Sequence, residues 1–143
     1  MKKILIINGP NINLLGLREP DIYGTKTYHD LLAFINMSAL EAGFATKCFQ
    51  SNSEGSIVDE IQQAYGQFDG IIINPAAYTH TSVAIPDALK AVGIPAVEVH
   101  LSDIQRREAY RQISYTSEAC CATITGKGFE SYREAIRFLQ AML

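Results

Sequence analysis

The sequence predicts a single α/β domain built on a doubly wound, five-stranded parallel sheet. Three observations lead there. Apolar runs of strand length alternate along the chain with segments of helical periodicity. The first run, "KILIIN" (3–8), is apolar at consecutive positions and rich in β-branched residues, the pattern of a strand covered on both faces. The chain has 143 residues, a length that suits one domain around one core, 1–143.

Each element has its own reason. After strand 1 comes a long stretch without period, "NLLGLREPDIYGTK" (13–26), which reads as a loop. Thr27 followed three residues later by Asp30 resembles a capping box. It opens the helical pattern "YHDLLAFINMSALEAG", which stops at Gly43. "FATKCFQ" (44–50) reads as strand 2 and "EGSIVDEIQQAYGQ" (54–67) as a helix. "GIIIN" (70–74) is strand 3, ended by Pro75. "SVAIPDALKAVG" (82–93) is a helix with Pro86 near its first turn. "IPAVEVH" (94–100) is strand 4, and "SDIQRREAYRQI" (102–113) is expected to be a short helix capped by Ser102 or Asp103. "ACCATIT" (119–125) is strand 5, and "GFESYREAIRFLQAML" (128–143) is a closing amphipathic helix. Right-handed crossovers then give a flavodoxin-like sandwich with strand order 2-1-3-4-5. In such sheets ligands sit beyond the carboxyl ends of the strands, at the switch point between strands 1 and 3. The residues there are Asn8 to Asn11, Asn74-Pro75, and Glu98 to Ser102.

Net charge is −3, from 12 basic and 15 acidic residues. That offers no polyanion-binding surface, so nucleic acid is not expected as a partner. The opening "MKKILIINGP" is too short in its apolar run for a signal peptide or a membrane span. Cys48, Cys120 and Cys121 are odd in number and form no CxxC. They read as free buried thiols in a reducing cytosol, which makes the expected location cytoplasmic.

Several familiar sites are missing. GxGxxG after strand 1, GxxxxGK[ST] and GxSxG are all absent, and strands 1 and 3 end on asparagines rather than an acidic cluster. His29, His80 and His100 show no HxH or HExxH spacing. Glu98 and His100, two apart on a strand, point to one face. That is the arrangement of a carboxylate orienting an imidazole. The same pair would serve as two metal ligands, or as polar residues facing water at a strand end. With Tyr23, Arg18, Asn11, Asn74, His80, Ser102 and Arg111, the inventory holds acids, bases and neutral donors but no evident nucleophile or redox centre. It suits proton abstraction and delivery on a polar, anionic organic substrate.

Tyr23 needs help to act as a base. Lowering a tyrosine from about 10 to near 7 takes about 4 kcal/mol. A guanidinium about 4 Å away supplies that at an effective dielectric of about 20, but only about 1 kcal/mol in water. Arg18 therefore activates Tyr23 only in a closed, dry loop, and Gly16 and Gly24 allow such a hinge. The competing reading is a surface connector whose tyrosine packs on its neighbours.

"GPNINLLGLREPDIYG", "NPAAYTHTSVAIPDAL" and "VEVHLSDIQRREAYRQISY" together resemble the type II 3-dehydroquinate dehydratases, as do "FQSNSEGSIVDEI" and the glycines of "ITGKG". The resemblance runs over nearly the whole chain in one order. It implies the elimination of water from 3-dehydroquinate to give 3-dehydroshikimate, a shikimate-pathway step in aromatic amino acid biosynthesis. It implies an anti course through an enolate and no cofactor or metal. Carried over by residue, it makes Tyr23 the proton acceptor, His100 the proton donor and Arg18 the transition-state stabiliser, within a lid of about 16–26. Glu98 would orient His100, and Asn11 would hold a water at the enolate oxygen. Asn74, His80, Leu101, Ser102 and Arg111 would bind substrate, and Asp87 would reach a neighbouring subunit's site in a homododecamer built from trimers. Ser53 stands where the family commonly has histidine, and "IQRREAY" and "SEACCAT" are unusual wordings. The alternative from another class is a non-catalytic flavodoxin-like binding or regulatory module. A flavin carrier fits less well, because the loop after strand 1 lacks a Ser/Thr-rich phosphate cradle.

Overall fold

The architecture was taken from a computed structural model, which describes residues 1–17 and 25–143. Its sheet has five parallel strands: β1 (Lys3–Asn8), β2 (Ala45–Gln50), β3 (Gly70–Asn74), β4 (Ala96–His100) and β5 (Ala122–Thr125). Their order is β2-β1-β3-β4-β5, as the alternating pattern predicts. Four helices cover it: α1 (Tyr28–Ala42), α2 (Glu54–Gln63), α3 (Ala84–Val92) and α4 (Glu130–Met142).

The continuous apolar runs divide their side chains between two layers. On one face Ile4, Ile6, Ile72, Val97 and Val99 pack under Leu31 and Ile35 of α1 and Ile136 and Leu139 of α4. On the other, Leu5, Ile7, Ile71 and Ile73 meet Ile57 and Ile61 of α2 and Ile85 and Leu89 of α3. Both faces are buried, which is why these strands lack a polar alternation. Truncating one of these isoleucines to alanine costs about 2–5 kcal/mol.

The helix starts follow their sequence signals. Thr27 and Asp30 form the reciprocal capping box at α1, with Thr27 N donating to Asp30 Oδ2 at 2.9 Å and Asp30 N to Thr27 Oγ1 at 3.2 Å. Ser53 caps α2, accepting from Ser56 N at 3.2 Å. Its hydroxyl thus holds the first turn of α2.

Two segments differ from expectation. Residues 102–113 form no continuous helix. They make 3-10 turns at Ile104–Arg106 and Ala109–Arg111, separated by extended backbone at Arg107 and Glu108. Side chains there take the backbone groups a helix would use: Gln105 Nε2 donates to Gln112 O at 3.0 Å and Gln112 Nε2 to Arg107 O at 2.9 Å. Tertiary bonding has overridden helical propensity. Strand 5 begins at Ala122, because Thr116–Ala119 make a further 3-10 turn. The cysteines also differ from expectation: all three are free, but Cys48 and Cys120 are half-buried and Cys121 is exposed.

Gly9 brings the switch point together. Its N donates to Asn74 O at 2.8 Å. A Cβ at Gly9 would lie 2.5 Å from the Pro75 carbonyl oxygen, so only glycine allows the ends of β1 and β3 to approach this closely. Two non-glycine residues beside it, Asn11 (φ 70) and Ala76 (φ 52), hold left-handed backbone. Such conformations cost free energy and cluster at functional sites.

Candidate active site

Beyond the carboxyl ends of β1, β3 and β4 lies a crevice of about 520 Å³, its open mouth included. Asn11, Asn74, His80, His100, Leu101, Ser102 and Arg111 all line it. Asp87 does not; it is exposed in the first turn of α3. Arg18 and Tyr23 lie outside the described residues.

Glu98 and His100 end β4 on one face of the sheet, as their spacing predicts. Glu98 is completely buried and His100 is 5% exposed. His100 Nε2 hydrogen-bonds Glu98 Oε2. Three hydroxyls surround the same carboxylate: Ser114 Oγ donates to Oε2 at 2.7 Å, Thr79 Oγ1 reaches Oε2 at 3.0 Å, and Thr123 Oγ1 reaches Oε1 at 3.4 Å. Burial alone would raise the Glu98 carboxyl. The contact with His100 and the Ser114 and Thr79 hydroxyls outweigh it and hold the group below its ordinary value. Glu98 is therefore an anion that fixes the tautomer of His100 through Nε2. Nδ1 is left as the nitrogen able to exchange a proton with a ligand.

Asn74 is 2% exposed, and its amide is fixed in sense. Its Oδ1 accepts from Ala76 N at 3.1 Å, and its Nδ2 donates to Tyr132 Oη at 3.0 Å. Tyr132, fully buried on α4, passes its own hydrogen to Asn8 Oδ1 at 2.6 Å. The bond order is thus settled through β1, and Asn74 keeps one N–H for the crevice. Asn11 is braced from below, its N donating to Asn52 Oδ1 at 3.0 Å.

His80 Nδ1 donates to Ile113 O at 2.7 Å, which leaves Nε2 as an acceptor. Burial lowers its tendency to protonate, and the nearby His100 ring and Arg111 guanidinium lower it further. The Ile113 carbonyl and Glu98 act the other way and do not compensate. A neutral His80 is suited to accept a ligand hydroxyl. Arg111 Nε sits 3.1 Å from Glu108 Oε2 as an ion pair without hydrogen-bond alignment. Its guanidinium lies over the Tyr110 ring at 5.2 Å.

Arg107, which the sequence reading passed over, lines the crevice as well. Its Nη1 lies 3.5 Å from Ser102 Oγ and its Nε 3.8 Å from Glu108 Oε2. The signal was available: Arg107 and Arg111 are four apart with Glu108 between. A helix, however, would have hidden their convergence on one carboxylate. Ser102 does not open a helix, so its place in the crevice comes from the end of β4. Among the described residues no three His, Cys, Asp or Glu side chains gather in a way that would hold a metal ion. No helix among them is long and apolar enough to cross a membrane.

A doubly wound α/β domain with a buried carboxylate–imidazole pair, fixed amides and two guanidiniums at its switch point defines an enzyme scaffold for proton transfer on an anionic substrate. Residues 2–140 match the family model for dehydroquinase class II. The 3-dehydroquinate dehydratase of Geotalea daltonii is 54% identical over 135 residues, covering 94% of both chains. Catabolic 3-dehydroquinase 1 of Aspergillus terreus is 54% identical over 135 residues, covering 94% of this chain and 89% of its own. The crystal structure of the type II dehydroquinase of Butyrivibrio crossotus superposes with a TM-score of 0.94 at 48% identity, covering 96% of this chain and 97% of that one. The chain belongs to the class II dehydroquinase family.

Proposed function

We propose that the protein is a 3-dehydroquinate dehydratase, removing water from 3-dehydroquinate by anti elimination through an enolate to give 3-dehydroshikimate. The observation that carries the reading is the buried Glu98–His100 pair opening on a crevice with two guanidiniums. A ketone's α-proton is weakly acidic, so a base and a stabilised enolate are both required. Tyr23 is the base, with Arg18 lowering its proton affinity inside a closed lid of about 16–26; both are assigned through family membership. The enolate oxygen is met by a water held at Asn11. His100, oriented by anionic Glu98, protonates the departing hydroxyl, which leaves as water, and the enolate's electrons form the conjugated double bond. Asn74 donates to and His80 accepts from substrate hydroxyls. The Leu101–Ser102 backbone and Arg111 hold the carboxylate, a pairing suited to a planar guanidinium.

The finer readings go with it. The reaction belongs to the shikimate pathway and runs in the cytoplasm, without a metal or organic cofactor. The chain assembles as a homododecamer of trimers in which Asp87 completes a neighbour's site. Free thiols support the reducing location.

The direct test mixes the protein with 3-dehydroquinate and follows enone absorbance in the ultraviolet, with and without a chelator. Turnover insensitive to chelator is expected. No turnover overturns the reading, and loss with chelator overturns its cofactor-free part. Tyr23→Phe and Arg18→Ala should each collapse kcat, by about a hundredfold or more, with modest change in substrate binding. Near-normal turnover in either variant would remove the role assigned to it.

A further inference from the structure

Ser114 lies outside the crevice's lining yet makes the shortest hydroxyl contact with the buried carboxylate. Its Oγ is 2.7 Å from Glu98 Oε2 and 2.6 Å from Thr79 Oγ1. Ser117 N donates to the same oxygen at 3.3 Å. Each hydroxyl has one hydrogen to place. Ser114's goes to the anion. Thr79's has two acceptors, Ser114 Oγ at 2.6 Å and Oε2 at 3.0 Å, and either one strengthens the hold on Glu98.

The surrounding backbone makes this pair rigid. Tyr115 N donates to Thr79 O at 2.8 Å, and His80 Nδ1 to Ile113 O at 2.7 Å. Residues 113–115 are thereby zipped to 79–80, and Ser114 occupies the middle of the zip. It also belongs to the segment that carries Arg107 and Arg111. We infer that Ser114, supported by Thr79, is a positioning residue that holds Glu98 ionised and aimed at His100. Through that contact it ties the seating of the 101–119 segment to the readiness of the proton donor. This rests on the reading of Glu98 and His100 given above.

The charged and titratable groups around Glu98 bear on the test. On its own strand there is His100; from the 76–80 turn, His80; and before β5, Cys120. His80 is held neutral chiefly by burial, and burial pushes the Cys120 thiol up to about 12. Among these groups, Glu98 is the carboxylate whose anion the Ser114 and Thr79 hydroxyls favour. The Glu98 carboxyl lies below its ordinary value, so its anion is present above that range and is lost as pH falls through it. Removing a hydroxyl that favours the anion moves that loss to higher pH.

The experiment compares wild type with Ser114→Ala, Ser114→Thr, Thr79→Val and Glu98→Gln, measuring kcat and KM for 3-dehydroquinate across pH. Ser114→Ala should lower kcat about ten- to hundredfold, the scale of loss when a supporting hydrogen bond to a functional group is removed. KM should stay within about twofold, and the acid limb of kcat should move up by about one pH unit. Ser114→Thr, which keeps the hydroxyl, should restore both. Thr79→Val should shift the limb the same way but less, and adding it to Ser114→Ala should shift the limb further, because Thr79 Oγ1 also reaches Glu98 Oε2 directly at 3.0 Å. An unshifted limb in Ser114→Ala, alongside an impaired Glu98→Gln, overturns the inference and leaves the reaction assignment standing. A Glu98→Gln protein with wild-type turnover removes the role of Glu98, and the inference falls with it. Loss of thermal stability in Ser114→Ala with no pH shift reduces Ser114 to a structural residue and overturns the inference too.

Discussion

Tyr132 shows how a residue remote from a ligand can decide what a pocket presents. Its hydroxyl is the only described link that orients both Asn8 and Asn74, one at the end of β1 and one at the end of β3. It is completely buried, and burial raises its pKa well above the ordinary tyrosine value, so it stays a neutral donor and acceptor. Tyr132→Phe keeps the ring but leaves Asn8 Oδ1 and Asn74 Nδ2 without their partner. The stability cost should be about 1–3 kcal/mol, read as a lower urea midpoint. The Asn74 amide would then be free to turn, so KM for 3-dehydroquinate should rise. An unchanged midpoint and KM would mean that the Ala76 N–Asn74 Oδ1 bond alone fixes the amide. None of this was legible in the sequence, where Tyr132 reads only as an apolar position in an amphipathic helix. The pairing joins residues 124 positions apart, and no local pattern encodes it.

At the level of elements, legibility followed the range of the forces. Strands β1, β3 and β4 could be read because burial on both faces demands runs of apolar residues. The caps at Thr27 and Ser53 could be read or explained because they act over three residues. The Glu98–His100 pair was legible for the same reason: strand geometry puts i and i+2 on one face. The 102–113 segment was misread because its Gln, Arg, Glu and Ala residues favour helix, while its backbone carbonyls are taken by the Gln105 and Gln112 side chains and, at its end, by His80. That misreading also hid Arg107. The Ser53 cap is open to test. Ser53→Ala should lower stability by about 1 kcal/mol in denaturant titration and leave kcat unchanged, since Ser53 does not line the crevice. A fall in kcat at unchanged stability would instead give Ser53 a part in catalysis.

Across the whole molecule, the question is whether one chain holds a complete site. Asp87 stands exposed on α3 and outside the crevice that the other binding residues share. Val83, just before α3, and Ile113 and Tyr115 on the zipped segment are exposed apolar side chains. An interface between copies that covered them would bury apolar surface. If Asp87 serves the neighbour, then each site combines His100 of one protomer with Asp87 of another. Asp87→Ala should lower kcat/KM about ten- to hundredfold, the size expected for losing a hydrogen bond to a substrate group. His100→Ala should be nearly inactive. Co-expressing the two variants as a mixed assembly then regenerates intact sites wherever an Asp87→Ala protomer, with its own His100, sits against a His100→Ala protomer that supplies Asp87. Turnover of the mixture should exceed that of either variant assembly alone, with light scattering confirming that both form oligomers of the wild-type size. Absence of any gain in mixed assemblies of that size would show that Asp87 acts within its own chain or not at all. A monomer by light scattering would remove the shared site altogether.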